Sequence, residues 1–152
     1  MYQDLFITDF KTAEFGQAFK TYFDELNVQV KKWDKLFTNM NNDKHGQNFA
    51  YVRIADNDET IGFIQFTAIT MSSWFFSADM GFIREFWVAE KYRKQGHGKE
   101  LLTLAESYFK EKGIGYTILT TDTAEKFYLK NGYEKCPHIE AVNKMDVYVK
   151  RL

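Results

Sequence analysis

At 152 residues the chain is long enough for one domain with a sizeable core and too short for two of ordinary size. A formal net charge of -1 argues against nucleic-acid binding through bulk charge. The lone cysteine, Cys136, rules out an internal disulfide. The first residues lack a basic segment leading into an apolar one, and no apolar run approaches the roughly 20 residues of a membrane helix. The expectation is one domain over 1–152, cytoplasmic, with no membrane and no nucleic-acid partner. Aromatic residues make up 18%, with 15 Phe, 9 Tyr and 3 Trp. Either the core is aromatic or a pocket is lined with rings.

Residues 4–10 alternate and are rich in strand formers, which predicts a first strand. From Thr12 the period changes: Phe15, Ala18, Phe19, Tyr22, Phe23 and Leu26 recur at spacings of three and four, the stripe of an amphipathic helix. A second stripe runs through Val30, Trp33, Phe37 and Met40. Strands over 49–55 and 60–70 flank Asp56-Asn57-Asp58-Glu59, which suits a hairpin. Residues 71–80 read as an apolar, serine-containing connection, and 81–88 as a further strand. A helix is predicted over 96–112, stopped by Gly113, and a strand over 116–121. Asp122, with Glu125 three residues on, has the spacing of a capping box opening a short helix that ends at Asn131-Gly132. Residues 133–136 and 142–149 close the series as strands. Strands and helices in this order predict an α/β or α+β domain with helices on both faces of a mixed sheet.

The most informative stretch is Arg93-Lys94-Gln95-Gly96-His97-Gly98-Lys99. It follows a strand and opens a helix, so free amides and the positive end of the helix dipole meet there. Two glycines one residue apart let an anion approach the backbone, and Arg93, Lys94 and Lys99 add positive charge. A pyrophosphate is the anion that this loop suits. A P-loop would need glycine in place of Arg93 and Ser or Thr in place of Glu100, and the dinucleotide fingerprint would need glycine in place of Leu101. A solvated basic turn is the plain alternative.

The segment Arg93 to Gly98, with Phe86-Trp87-Val88 and Tyr92 before it, resembles the R/Q-x-x-G-x-G/A signature of the GNAT superfamily of N-acetyltransferases. Ala124, Phe127-Tyr128 and Gly132-Tyr133 resemble that family's second segment. The resemblance implies a GNAT-like fold, a mixed sheet of about seven strands splayed at the cofactor site. It also implies acetyl-CoA as co-substrate. The backbone of Phe86, Trp87 and Val88 is then expected to pair with the pantetheine arm like an added strand. Arg93, Lys94, Gln95, Gly96, His97, Gly98 and Lys99 are expected to hold the pyrophosphate, with the His97 side chain toward solvent or phosphate. Ala124, Phe127 and Tyr128 are expected to pack along the cofactor. Thr121 stands where relatives often have asparagine, so a hydrogen bond to pantetheine is either lost or made by its hydroxyl.

Moving an acyl group from a thioester to an amine needs a neutral amine, a stabilised oxyanion and a proton for the departing thiolate. The resemblance assigns the acid to Tyr128 and makes Glu85 a candidate base; the alternatives are a core aromatic and a surface residue paired with Arg84. For the acceptor, Trp33, Phe37, Trp74 and Phe75 are candidates for an aromatic wall with a cation–π contribution. A dimer interface or plain core is the competing use of these rings, and a homodimer stays open. His45 and His138 lack metal-ligand spacing, so no metal is expected. The predicted activity is acetyl transfer to a primary amine of a small molecule, by direct attack in a ternary complex. A peptide or protein N-acetyltransferase and a non-catalytic acyl-CoA sensor are the alternatives.

Overall fold

The structure, a computed structural model, describes residues 1–72, 74–75 and 77–152. Its elements are β1 (Tyr2–Ile7), α1 (Ala13–Glu25), α2 (Trp33–Asn41), β2 (Asn48–Ala55), β3 (Thr60–Ser72), β4 (Ser77–Val88), α3 (His97–Glu111), β5 (Tyr116–Thr121), α4 (Glu125–Lys130), β6 (Glu134–Lys135) and β7 (Asp146–Arg151). The strands form one seven-stranded sheet in the order β1-β2-β3-β4-β5-β7-β6. Neighbours run antiparallel except β4 and β5, which are parallel.

Period-two alternation divides the strand side chains between two cores. Ile64 and Phe66 of β3 pack with Leu101, Leu102, Ala105 and Phe109 of α3 on one face. Phe63 packs with Phe15, Ala18, Phe19 and Phe37 of α1 and α2 on the other. The high aromatic content is therefore largely core, with Phe15 and Phe19 both touching Phe37 and Phe63. At Gly81 a Cβ would lie 2.5 Å from Cδ2 of Phe109, so glycine lets α3 sit directly on β4.

Several boundaries differ from the sequence expectation. The first strand ends at Ile7, and the Phe10 amide turns away to donate to Asn41 Oδ1. Most of the expected connection over 71–80 is strand, because β3 and β4 stay paired as far as Ser72 and Ser77. Pairing with β2 ends at Thr67, and pairing with β5 begins only at Gly81. The outer part is thus a two-stranded ribbon with no buried face to imprint a period on its sequence. Ser73 and Phe76, part of that aromatic stretch, lie outside the described residues. Asp122 does not cap α4; Thr121 Oγ1 accepts the amides of Thr123 and Ala124, at 3.3 and 3.0 Å, and Ala124 is the capping position. The last strand begins at Asp146, opposite the end of β5 at Thr121, and Val142 is fully exposed.

Candidate active site

The sheet opens between its two parallel strands. β4 and β5 pair only at Gly81–Thr117 and Phe82–Ile118. Beyond that point β4 continues along β3 to Val88, while β5 continues along β7. A bulge lies at the opening: Ile64 pairs with Phe86 but Phe66 with Ile83, so Arg84 and Glu85 together face Gln65. The Ala89 amide donates to Ile61 O. Antiparallel alternation then turns the backbone groups of Trp87 and Ala89 toward β3, and those of Phe86 and Val88 toward the open edge. The Val88 carbonyl accepts Arg93 Nε at 2.8 Å. The Phe86 and Val88 amides lie on the edge where the resemblance expects an added strand.

The loop into α3 is shaped by two left-handed residues, Lys94 (φ 62°) and Gly96 (φ 87°). The first helical bond runs from the Glu100 amide to Gly96 O, so the amides of His97, Gly98 and Lys99 have no helical acceptor. Amides gathered in such a turn form an anion-binding concavity at the positive end of the dipole. α3, α4 and β4 converge at Gly98, where even a Cβ would make ordinary contact, 3.4 Å from Phe127 Cε1 and 3.8 Å from Val88 Cγ2. The Phe86 and Phe127 rings meet edge to face at 5.8 Å. Lys94, Gln95 and Lys99 are exposed along this turn. The groups present fit a diphosphate.

Two side chains of the loop do something other than expected. The Arg93 guanidinium forms an ion pair of 2.6 Å with Glu25 at the end of α1, whose second carboxylate oxygen accepts Trp87 Nε1. Arg93 therefore ties the loop to α1 instead of standing free for phosphate. His97 turns inward: its Nδ1 is 3.0 Å from the Arg53 guanidinium and its ring meets Tyr2 edge to face. The Arg53 side chain, only 3% exposed, is also paired with Asp4 and Glu100 and lies 3.8 Å from the Tyr2 ring centroid. This buried cation needs all those partners, and they hold the first turn of α3 against β1 and β2.

Glu85 and Tyr128 approach the opening from different elements. Glu85 stands on the bulge of β4 and accepts the Tyr22 hydroxyl of α1 at 2.9 Å. Burial raises its carboxyl above the usual carboxylate range, opposed by the Tyr22 hydrogen bond and the Arg84 charge. Arg84 is not its ion-pair partner: that guanidinium binds Asp43 at 2.6 Å and Asn48 at 2.9 Å. Tyr128 is buried in α4, edge to face with Phe127 and Tyr133, and burial pushes its phenol well above the ordinary range. It is fully protonated at neutral pH. Thr121 is buried at the end of β5, and its oxygen accepts the amides of the α4 turn.

The four aromatic candidates for the acceptor fall into two places. Trp33 and Phe37 stack on one another at 5.8 Å in the α1–α2 core, while Trp74 and Phe75 are 97% and 93% exposed near the ribbon tip. They form no common wall. An open groove of about 610 Å³ is lined by Lys20, Trp33 and Phe37 among others, but by no residue of β4, β5, α3 or α4. It is therefore not the sheet opening. Among the described residues no cluster of His, Cys, Asp or Glu is placed to hold a metal ion, and no helix is long and apolar enough to cross a membrane. Sequence reasoning missed Tyr22, Glu25 and Arg53 as polar contributors. Tyr22 was legible only as part of an apolar stripe; nothing in the spacing of Glu25 or Arg53 links them to residues far along the chain.

The sequence profile of the Acetyltransferase (GNAT) family matches residues 6–133. No curated protein matches the chain in sequence. Among solved structures, a GNAT-family acetyltransferase from Staphylococcus aureus Mu50 is 18% identical, with 99% of each chain covered and a TM-score of 0.69. An aminoglycoside acetyltransferase from an uncultured soil metagenomic sample, in complex with trehalose, is 15% identical over 93% of this chain and 95% of that one, at 0.68. A chain of the NatC complex bound to Gag peptide and CoA is 17% identical with 99% of each covered, at 0.66. At these identities the likeness is one of fold.

Proposed function

Because the chain belongs to the acetyltransferase (GNAT) family, we propose that it transfers the acetyl group of acetyl-CoA to a primary amine of a small molecule, in a ternary complex. The observation that carries this reading is the opening of the sheet at Gly81–Phe82, with the α3 amide turn at its rim. Acetyl-CoA supplies the acetyl thioester. The turn from Lys94 to Lys99 binds its diphosphate, and the free edge of β4 at Phe86 and Val88 aligns the arm and offers an amide to the thioester oxygen. Glu85, in its carboxylate form, takes a proton from the amine as nitrogen bonds to the carbonyl carbon. Tyr128 gives its proton to the sulfur as the carbon–sulfur bond breaks.

A peptide or protein amine is the second reading, favoured by the exposure of Trp74 near the ribbon tip. Thiol release from acetyl-CoA across polyamines, aminoglycosides, amino acids and short peptides tests both. Release with small amines is expected; release with peptides alone selects the second reading. No release with any of them, alongside measurable acetyl-CoA binding, means a sensor.

A further inference from the structure

α1 presents phenylalanine to the core at 15, 19 and 23, and a tyrosine at 22. The Tyr22 ring is fixed by Phe23, Phe63 and Trp87, with centroids 5.5, 5.5 and 6.0 Å away. That packing needs no hydroxyl. The hydroxyl nevertheless meets Glu85, 63 positions along the chain, at 2.9 Å. Glu85 lies on the bulge, where the ladder is interrupted.

We infer that Tyr22 is a positioning residue: its phenol holds the Glu85 carboxylate in place on the bulge and favours its charged form. This rests on reading Glu85 as the proton acceptor. The neighbouring charges do not replace that donor. Arg84 is spent on Asp43 and Asn48, and Glu25 is held by Arg93 and Trp87. Gln65, across the bulge, is buried with its Nε2 making no hydrogen bond. Tyr128 of α4 acts on Tyr22 only as a neighbouring phenol. A donor to the ionised carboxylate lowers the pH at which it deprotonates, opposing what burial does to it. Tyr22 thus counters what burial does to the Glu85 carboxyl.

Carboxyl-carbon NMR of the glutamate-labelled protein, with Glu85 assigned by its loss in Glu85→Gln, follows this group directly. Tyr22→Phe keeps the ring and is expected to move the Glu85 midpoint up by about one pH unit, the scale of a hydrogen bond to a charge. A genetically encoded 3-fluorotyrosine at position 22, a stronger donor, is expected to move it down, and it covers the case in which Tyr22→Phe fails to fold. An unmoved midpoint in either folded variant overturns the inference. The rate of Glu85→Gln tests the base reading separately. Full thiol release in Glu85→Gln would remove that reading while leaving the measured coupling intact.

Discussion

On the α3 side of the opening the groups proposed to bind the diphosphate are backbone: the amides of His97, Gly98 and Lys99, in a turn shaped by Lys94 and Gly96. On the α1 side the polar groups are side chains, with Tyr22 on Glu85 and Glu25 on Arg93 and Trp87. Backbone sites depend on φ and on the absence of a Cβ, so few substitutions are tolerated but side-chain identity elsewhere hardly matters. Side-chain sites invert this, since each contact can be removed alone. Donor binding should therefore fail mainly at glycines, and chemistry at single functional groups.

Turnover offers the largest contrast. Tyr128→Phe is expected to lower kcat about a hundredfold, within the usual range for a general acid, while calorimetry shows acetyl-CoA affinity nearly unchanged. Unchanged turnover removes Tyr128 from the chemistry. Next, Gly96→Asp forces a left-handed residue with a negative charge into the turn. We expect acetyl-CoA binding weaker by about thirtyfold, roughly 2 kcal/mol of strain and repulsion. Arg93→Ala should cost less, about fivefold, because its guanidinium already serves Glu25 and acts on the loop indirectly. A larger loss from Arg93→Ala than from Gly96→Asp would mean that the side chain, not the backbone, holds the phosphates. The smallest effect is on stability. Thr121→Val removes the acceptor for the Thr123 and Ala124 amides, for about 1 kcal/mol and a fall in Tm of about 3 °C. No fall in a thermal scan would show that the α4 turn holds without that oxygen.

The same contrast decides what the sequence reveals. Glycines, basic residues and a helix start cluster within seven positions from Arg93 to Lys99, so the backbone site is legible as a string. The helices and most strands are equally legible, because a buried face imprints its period. The α1 side is not legible, because Tyr22 and Glu85 meet only through tertiary packing. His97 shows the limit even inside the motif. Its place in the loop is legible as a string, but its direction depends on Arg53, a buried cation on β2 that no local pattern announces. The ribbon beyond Thr67 is illegible for the opposite reason, since strands that bury nothing leave no period to read.

Phe109 over Gly81 has a consequence for engineering. That contact stands where β4 and β5 part, and even one methyl at position 81 would meet the ring at 2.5 Å. The apex of the cleft thus lies directly under the α3 core. Any reshaping of the cleft should therefore leave position 81 alone and begin with Phe86 and Phe127, whose rings meet edge to face across elements that a shorter side chain would not force apart.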